Sequence, residues 1–178
     1  MHRGEVEYAR SGEHHIAYRE YRGDTDGGHD IVMVNGGNWP MDALPEDPVG
    51  LRLLEGLAEL GRLVMFDRRG IALSDPLTDW DRPLRVQWAD DLAAVISAAG
   101  CEQPTVFGWG TGAVARTCST THPDLIGRLV LLNPSTEPTD ADQGWVAQFV
   151  EELARMMDGE NAGDPAAPGR AGDPAYRA

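Results

Sequence analysis

A strand hairpin followed by alternating strand-type and helix-type segments predicts an α/β fold with a mostly parallel sheet. Three observations carry that expectation. Short apolar runs at Ile31 to Val34, Leu63 to Phe66, Thr105 to Phe107 and within Leu125 to Leu132 have the length of buried strands. Segments of helical period separate most of them. Most of the apolar runs end in Gly-, Asn- or Asp-containing turns.

The elements follow in order. Val6 to Arg10 and His14 to Tyr21 read as two strands joined by a turn at Ser11-Gly12-Glu13. Gly23 to His29 is rich in Gly and Asp and reads as a loop. The strand at 31–34 ends in the sharp turn Asn35-Gly36-Gly37. Leu51, Leu54, Leu57, Ala58 and Leu60 recur at helical spacing and predict an amphipathic helix over about 49–61. The strand at 63–66 runs into the polar turn Asp67-Arg68-Arg69-Gly70. Val86 to Ala99 is helical, with Val86, Ala89, Ala93, Val95 and Ile96 inward and Asp90 and Asp91 expected to face water. The strand beginning at Thr105 ends in Gly108-Trp109-Gly110-Thr111-Gly112. A helix rich in Thr and Ser is expected over 113–120, stopped by Pro123. Trp145 to Met157 carries one apolar stripe of helical period.

The organisation expected is therefore a domain over 1–157, with 141–157 opening a further helical segment, and a tail over 158–178. The tail is built mostly from Gly, Ala, Pro, Asp and Arg, too little apolar surface to offset the entropy of ordering, and is expected to be disordered.

Composition narrows the function classes. The chain has 178 residues, 42% hydrophobic and 25% charged, which suits one globular domain. Its formal net charge is -14, and all 15 basic residues are Arg. That balance argues against nucleic acid or an anionic membrane as partner, since both need a basic patch. Cys101 and Cys118 match no metal-binding spacing and are expected as free thiols. The N-terminus lacks an apolar signal segment, and no apolar run reaches the ~20 residues that span a bilayer. A cytoplasmic location is expected, with no metal and no cofactor.

Four segments together resemble the α/β-hydrolases: Val34 to Trp39, Phe66 to Asp75, Gly108 to Gly112, and His122 to Asn133. Their order and spacing are similar to the third to sixth strands of that family and the loops that follow them. The likeness covers about residues 5–157. It is nearest to bacterial members of the type also fused to cyclase or regulator domains. It implies an N-terminal antiparallel hairpin, a mostly parallel sheet with flanking helices, and an ancestral ester or acyl hydrolase. In that family, the fifth strand leads into a G-x-S-x-G elbow whose central residue is the nucleophile. The amide after the nucleophile and one from the loop after the third strand form an oxyanion hole. An acid and then a His come later in the chain.

The sequence departs from the family at the decisive place. Gly110 stands at the nucleophile position and has no side chain to attack a carbonyl. Thr111 is a weak substitute, because moving the frame by one puts Trp109 where the turn needs a small residue. The sheet is expected to be truncated before its last two strands, so the triad His has no counterpart. Glu137 and Asp140, where some members carry the acid, read as solvated loop carboxylates. His14 and His15 are expected in the hairpin, away from the catalytic edge. His29 lies before the third strand, and His122 in a structural turn. Asn35 stands where many members have His. Gly36 and Gly37 leave backbone free to approach a ligand, and the amides of Asn38 and Thr111 are the expected oxyanion donors. Trp39, Trp109 and Trp145 are candidates to line an apolar pocket. Asp67, Arg69 and Ser74 are expected to hold their loop by hydrogen bonds and an ion pair.

Three readings fit. The chain is a remnant of a hydrolase, a non-catalytic binder of a small apolar or acyl ligand or of a protein, or a hydrolase completed by another chain. An exposed edge at the sixth strand suits a homodimer.

Overall fold

The computed structural model describes residues 1–24, 28–36, 39–110 and 112–132. The helix expected over 141–157 and the tail over 158–178 lie outside the described residues.

The order of elements is β1 (His2–Ser11), β2 (His14–Arg22), β3 (Asp30–Val34), a 3-10 turn at Leu44–Glu46, α1 (Pro48–Leu60), β4 (Arg62–Phe66), α2 (Leu84–Ala98), β5 (Thr105–Trp109), α3 (Gly112–Thr121) and β6 (Arg128–Leu132). The described strands form one sheet in the order β1-β2-β4-β3-β5-β6. β1 and β2 form the hairpin, and β2 pairs antiparallel to β4. β4, β3, β5 and β6 are parallel. The hairpin strands are longer than the sequence pattern indicates, because their outer residues are charged and exposed and break the apolar alternation.

Alternation along each strand divides the core into two layers. On one face, Ile16, Tyr18, Val32, Val34, Val64, Phe66 and Val106 pack with α2 and α3. On the other, Ala17, Tyr21, Ile31, Met33, Leu63 and Met65 pack with Leu54 and Ala58 of α1. Leu60, expected on the apolar stripe of α1, is 63% exposed, because it ends the helix past its contact with the sheet. α1 begins where Asp47 accepts a hydrogen bond from the Gly50 amide at 2.7 Å and Pro48 opens the first turn.

The second face of α2 corrects one expectation. Asp91 does not face water: it is wholly buried beside Arg69. The Arg69 Nε donates to both Asp91 carboxylate oxygens at 3.1 and 3.0 Å, and its Nη2 donates to Oδ1. Gln87 and Ser11 accept from the remaining guanidinium N–H groups at 3.2 and 3.0 Å. A helical period cannot reveal such a residue, because its partner arrives from a loop elsewhere in the sequence.

Cys101 and Cys118 are free and buried, as expected. Burial pushes their thiols up to about 11 and about 12. Among the described residues, no helix is long and apolar enough to cross a membrane.

Candidate functional site

In a mostly parallel sheet the loops at the carboxyl ends of the strands gather along one edge. Here the loop after β3 and the turn between β5 and α3 meet there. The contact is made through backbone. A Cβ on Gly36 would stand 2.2 Å from the Trp109 carbonyl oxygen, so only glycine allows that approach. Gly110 has φ +72°, in the left-handed region that glycine enters without strain. Its amide donates to the Leu132 carbonyl at 3.0 Å, which ties the turn to the end of β6. α3 starts two residues later, so its N-terminal, electropositive end lies beside the turn.

This junction borders a half-open cavity of about 250 Å³ lined by Asn35, Gly36, Trp39, Leu44, Asp47, Trp109 and Gly110, with Trp39 at its exposed rim. Five of these were singled out in the sequence, from two segments that are 70 residues apart in numbering, and the fold brings them together. Gly37, Asn38 and Thr111 fall outside the described residues. Trp145, the third tryptophan considered for the pocket, does as well. Leu44 and Asp47 were missed. They belong to a Pro-rich stretch with no periodicity, and the only local signal was the Asp47-Pro48 helix start.

Polar contacts set the walls of the cavity. Asn35 is buried, and its Nδ2 donates to the Trp39 carbonyl at 3.1 Å, which folds the loop back on itself. Asp67, at the end of β4, accepts from the Met41 amide at 2.7 Å and from the Leu73 amide at 3.2 Å. Ser74 donates to the Asp67 carbonyl and accepts from the Ala17 amide at 2.9 Å. Asp67, Arg69 and Ser74 therefore do hold their loop, as the sequence suggested, and Asp67 also anchors the segment that carries Trp39. Burial raises the Asp67 carboxyl above the ordinary range, against the two amide hydrogen bonds that lower it. The Arg68 guanidinium lies over the Trp88 ring at 4.2 Å, and burial lowers its pKa.

The histidines are elsewhere. The register Tyr18↔Phe66 carries the start of β2 past the carboxyl end of β4. His14 and His15 are therefore on the same edge as the cavity, a correction to the expected placement. Antiparallel pairing reverses the direction of β2, which the sequence pattern does not disclose. Three strand spacings of about 4.8 Å still separate β2 from β5, roughly 14 Å sideways. His15 is held by Asp75, with Nδ1 and Oδ2 3.2 Å apart, and His14 by Thr78 at 3.1 Å. His29 lies before β3, and its carbonyl accepts from the Arg62 amide at the opposite edge. His14 and His122 both line a separate, open groove of about 1100 Å³ beside α2. Among the described residues, no cluster of His, Cys, Asp and Glu could hold a metal ion.

No protein-family model matches the chain, and no curated protein does. Solved structures match it well. An alpha/beta hydrolase fold protein from Chitinophaga pinensis is 20% identical with a TM-score of 0.66, over 87% of this chain and 52% of its own. Cfl2 from Burkholderia cenocepacia is 20% identical with a TM-score of 0.60, over 87% and 55%. An epoxide hydrolase from Vigna radiata is 16% identical with a TM-score of 0.60, over 76% and 40%. The chain thus spans about half the length of these structures. At such identities the likeness is one of fold.

Proposed function

The chain has the α/β-hydrolase fold, and on that premise we propose that it is a non-catalytic member whose cavity at the β5–α3 turn binds a small, largely apolar ligand. The observation that carries the proposal is Gly110. It has positive φ at the β5–α3 turn, the position to which the family resemblance assigns the nucleophile, and it opens onto the cavity. Among the described residues, the cavity wall contains no Ser, Cys or His. Hydrolysis by acyl transfer needs an attacking side chain and a base within hydrogen-bond reach of it. What remains is a concave apolar site with few polar groups, the usual form of a ligand pocket. Its volume falls just under the ~300–1000 Å³ of drug-sized sites, which favours a ligand the size of a short acyl chain or a lactone.

The tests separate binding from turnover. A fluorophosphonate probe is expected to leave the chain unlabelled, and Gly110→Ser is expected to remain without esterase activity because, among the described residues, no His lines the cavity to activate the new hydroxyl. Labelling of Thr111, or substantial turnover by Gly110→Ser, overturns the non-catalytic reading. Short acyl and lactone ligands are expected to raise the melting temperature, by linkage to the folded state.

A further inference from the structure

The wall of the elbow cavity joins two indoles to one carboxylate. Trp39 and Trp109 line it with Leu44, and Asp47 completes the lining on the α1 side. No Arg, Lys or His contributes to the described wall. Asp47 Oδ2 accepts from the Gly50 amide at 2.7 Å, and among the described residues Oδ1 accepts no hydrogen bond and Asp47 has no ion-pair partner. The N-terminus of α1 offsets part of the charge, but one oxygen keeps its acceptor capacity. Aromatic faces attract cations through the ring quadrupole, and a carboxylate supplies the counter-charge. A carboxylate ligand would instead meet Asp47 as a like charge. The net charge of -14 over the whole chain also draws cations toward it and repels anions.

We infer that the cavity at Gly110 takes a small organic ammonium compound, with the apolar body against Trp109 and Leu44 and the ammonium between Asp47 and Trp39. The inference rests on the proposed binding role of this cavity and names the chemical class it selects. Asp47 sets the selectivity, and Gly110 leaves open the space that a nucleophile side chain would fill. A Cβ at Gly110 would have as its nearest neighbour the Gly36 Cα at 3.6 Å.

The test titrates the full chain with butylammonium chloride and, separately, with 1-butanol, at matched ionic strength and neutral pH. The readout is the indole N–H resonances of Trp39 and Trp109, assigned with Trp→Phe variants. Butylammonium is expected to bind about tenfold tighter than butanol, the worth of one hydrogen bond to a charged group. Asp47→Asn and Asp47→Ser both keep a helix-capping oxygen and both remove the charge. Each is expected to abolish the preference for butylammonium over butanol. Equal affinity for the two probes in the natural chain, or a preference that survives in both variants, overturns the inference while leaving an apolar binding cavity in place. No shift of either indole with either probe overturns the binding role as well.

Discussion

Replacing Asp91 by Ala should destabilise the fold strongly, because it strands a buried guanidinium. The Arg69 side chain is 6% exposed and that of Asp91 0%, so solvent screens the pair very little. Removing the carboxylate leaves the guanidinium buried with only Gln87 Oε1 at 3.2 Å and Ser11 Oγ at 3.0 Å as strong acceptors. The Arg69 amide also loses its contact to Asp91 Oδ2 at 3.3 Å. Breaking a buried pair on one side costs about 3–5 kcal/mol, mostly the penalty of the stranded charge. For a domain of this size that is a fall in melting temperature of about 6–20 °C. The cause can be isolated with a double variant. Arg69→Met with Asp91→Leu removes both charges and should recover most of the loss, since a buried pair can be replaced by apolar groups at little cost. Urea denaturation followed by circular dichroism measures all three proteins. A loss below about 1 kcal/mol in Asp91→Ala, or a double variant no better than the single, would refute the reasoning.

Gly110→Ala should lose about 1–2 kcal/mol, from an L residue at φ +72°, with no clash. Gly36→Ala should lose about 3 kcal/mol or more, because its Cβ would meet the Trp109 carbonyl at 2.2 Å, and thermal melts of the two variants check that order. Tyr21 is fully buried and its hydroxyl has no hydrogen-bond partner among the described residues, so Tyr21→Phe should stabilise by about 1 kcal/mol, read as a raised urea midpoint. Asp30 is held below the ordinary carboxylate range by the Arg62 guanidinium, whose Nε donates to it at 2.7 Å. Its contribution is present above the unfolded value near 3.9 and is lost as pH falls through the lowered folded value. Melting temperature against pH should therefore fall less steeply below about pH 4 in Asp30→Asn than in the natural chain.

Much of the fold was legible because each of its local signals agreed with the others. Four apolar runs bounded by turn residues located β3 to β6, and helical period located α1 and α2. The cavity was half legible. Asn35, Gly36, Trp39, Trp109 and Gly110 came from glycine-rich turns at strand ends, where a parallel sheet places its loops. Leu44 and Asp47 were hidden because a non-periodic loop carries no directional signal. Asp91 was hidden for the opposite reason: a regular helical pattern assigned it to water, and the long-range partner Arg69 overrode it. The edge occupied by His14 and His15 depended on the pairing of β2 with β4, and a sequence pattern specifies the faces of a strand but not its neighbour.

A non-catalytic cavity at Gly110 binds a small molecule without hydrolysing it. The most direct measurement is a titration of the chain with short-chain acyl esters, with and without an amino group, following the Trp39 and Trp109 indole resonances and ester hydrolysis in the same sample. Saturable indole shifts with no acid product above the buffer rate are the predicted result. Product formation in proportion to bound ester, or indoles that do not respond to any ester, would contradict it.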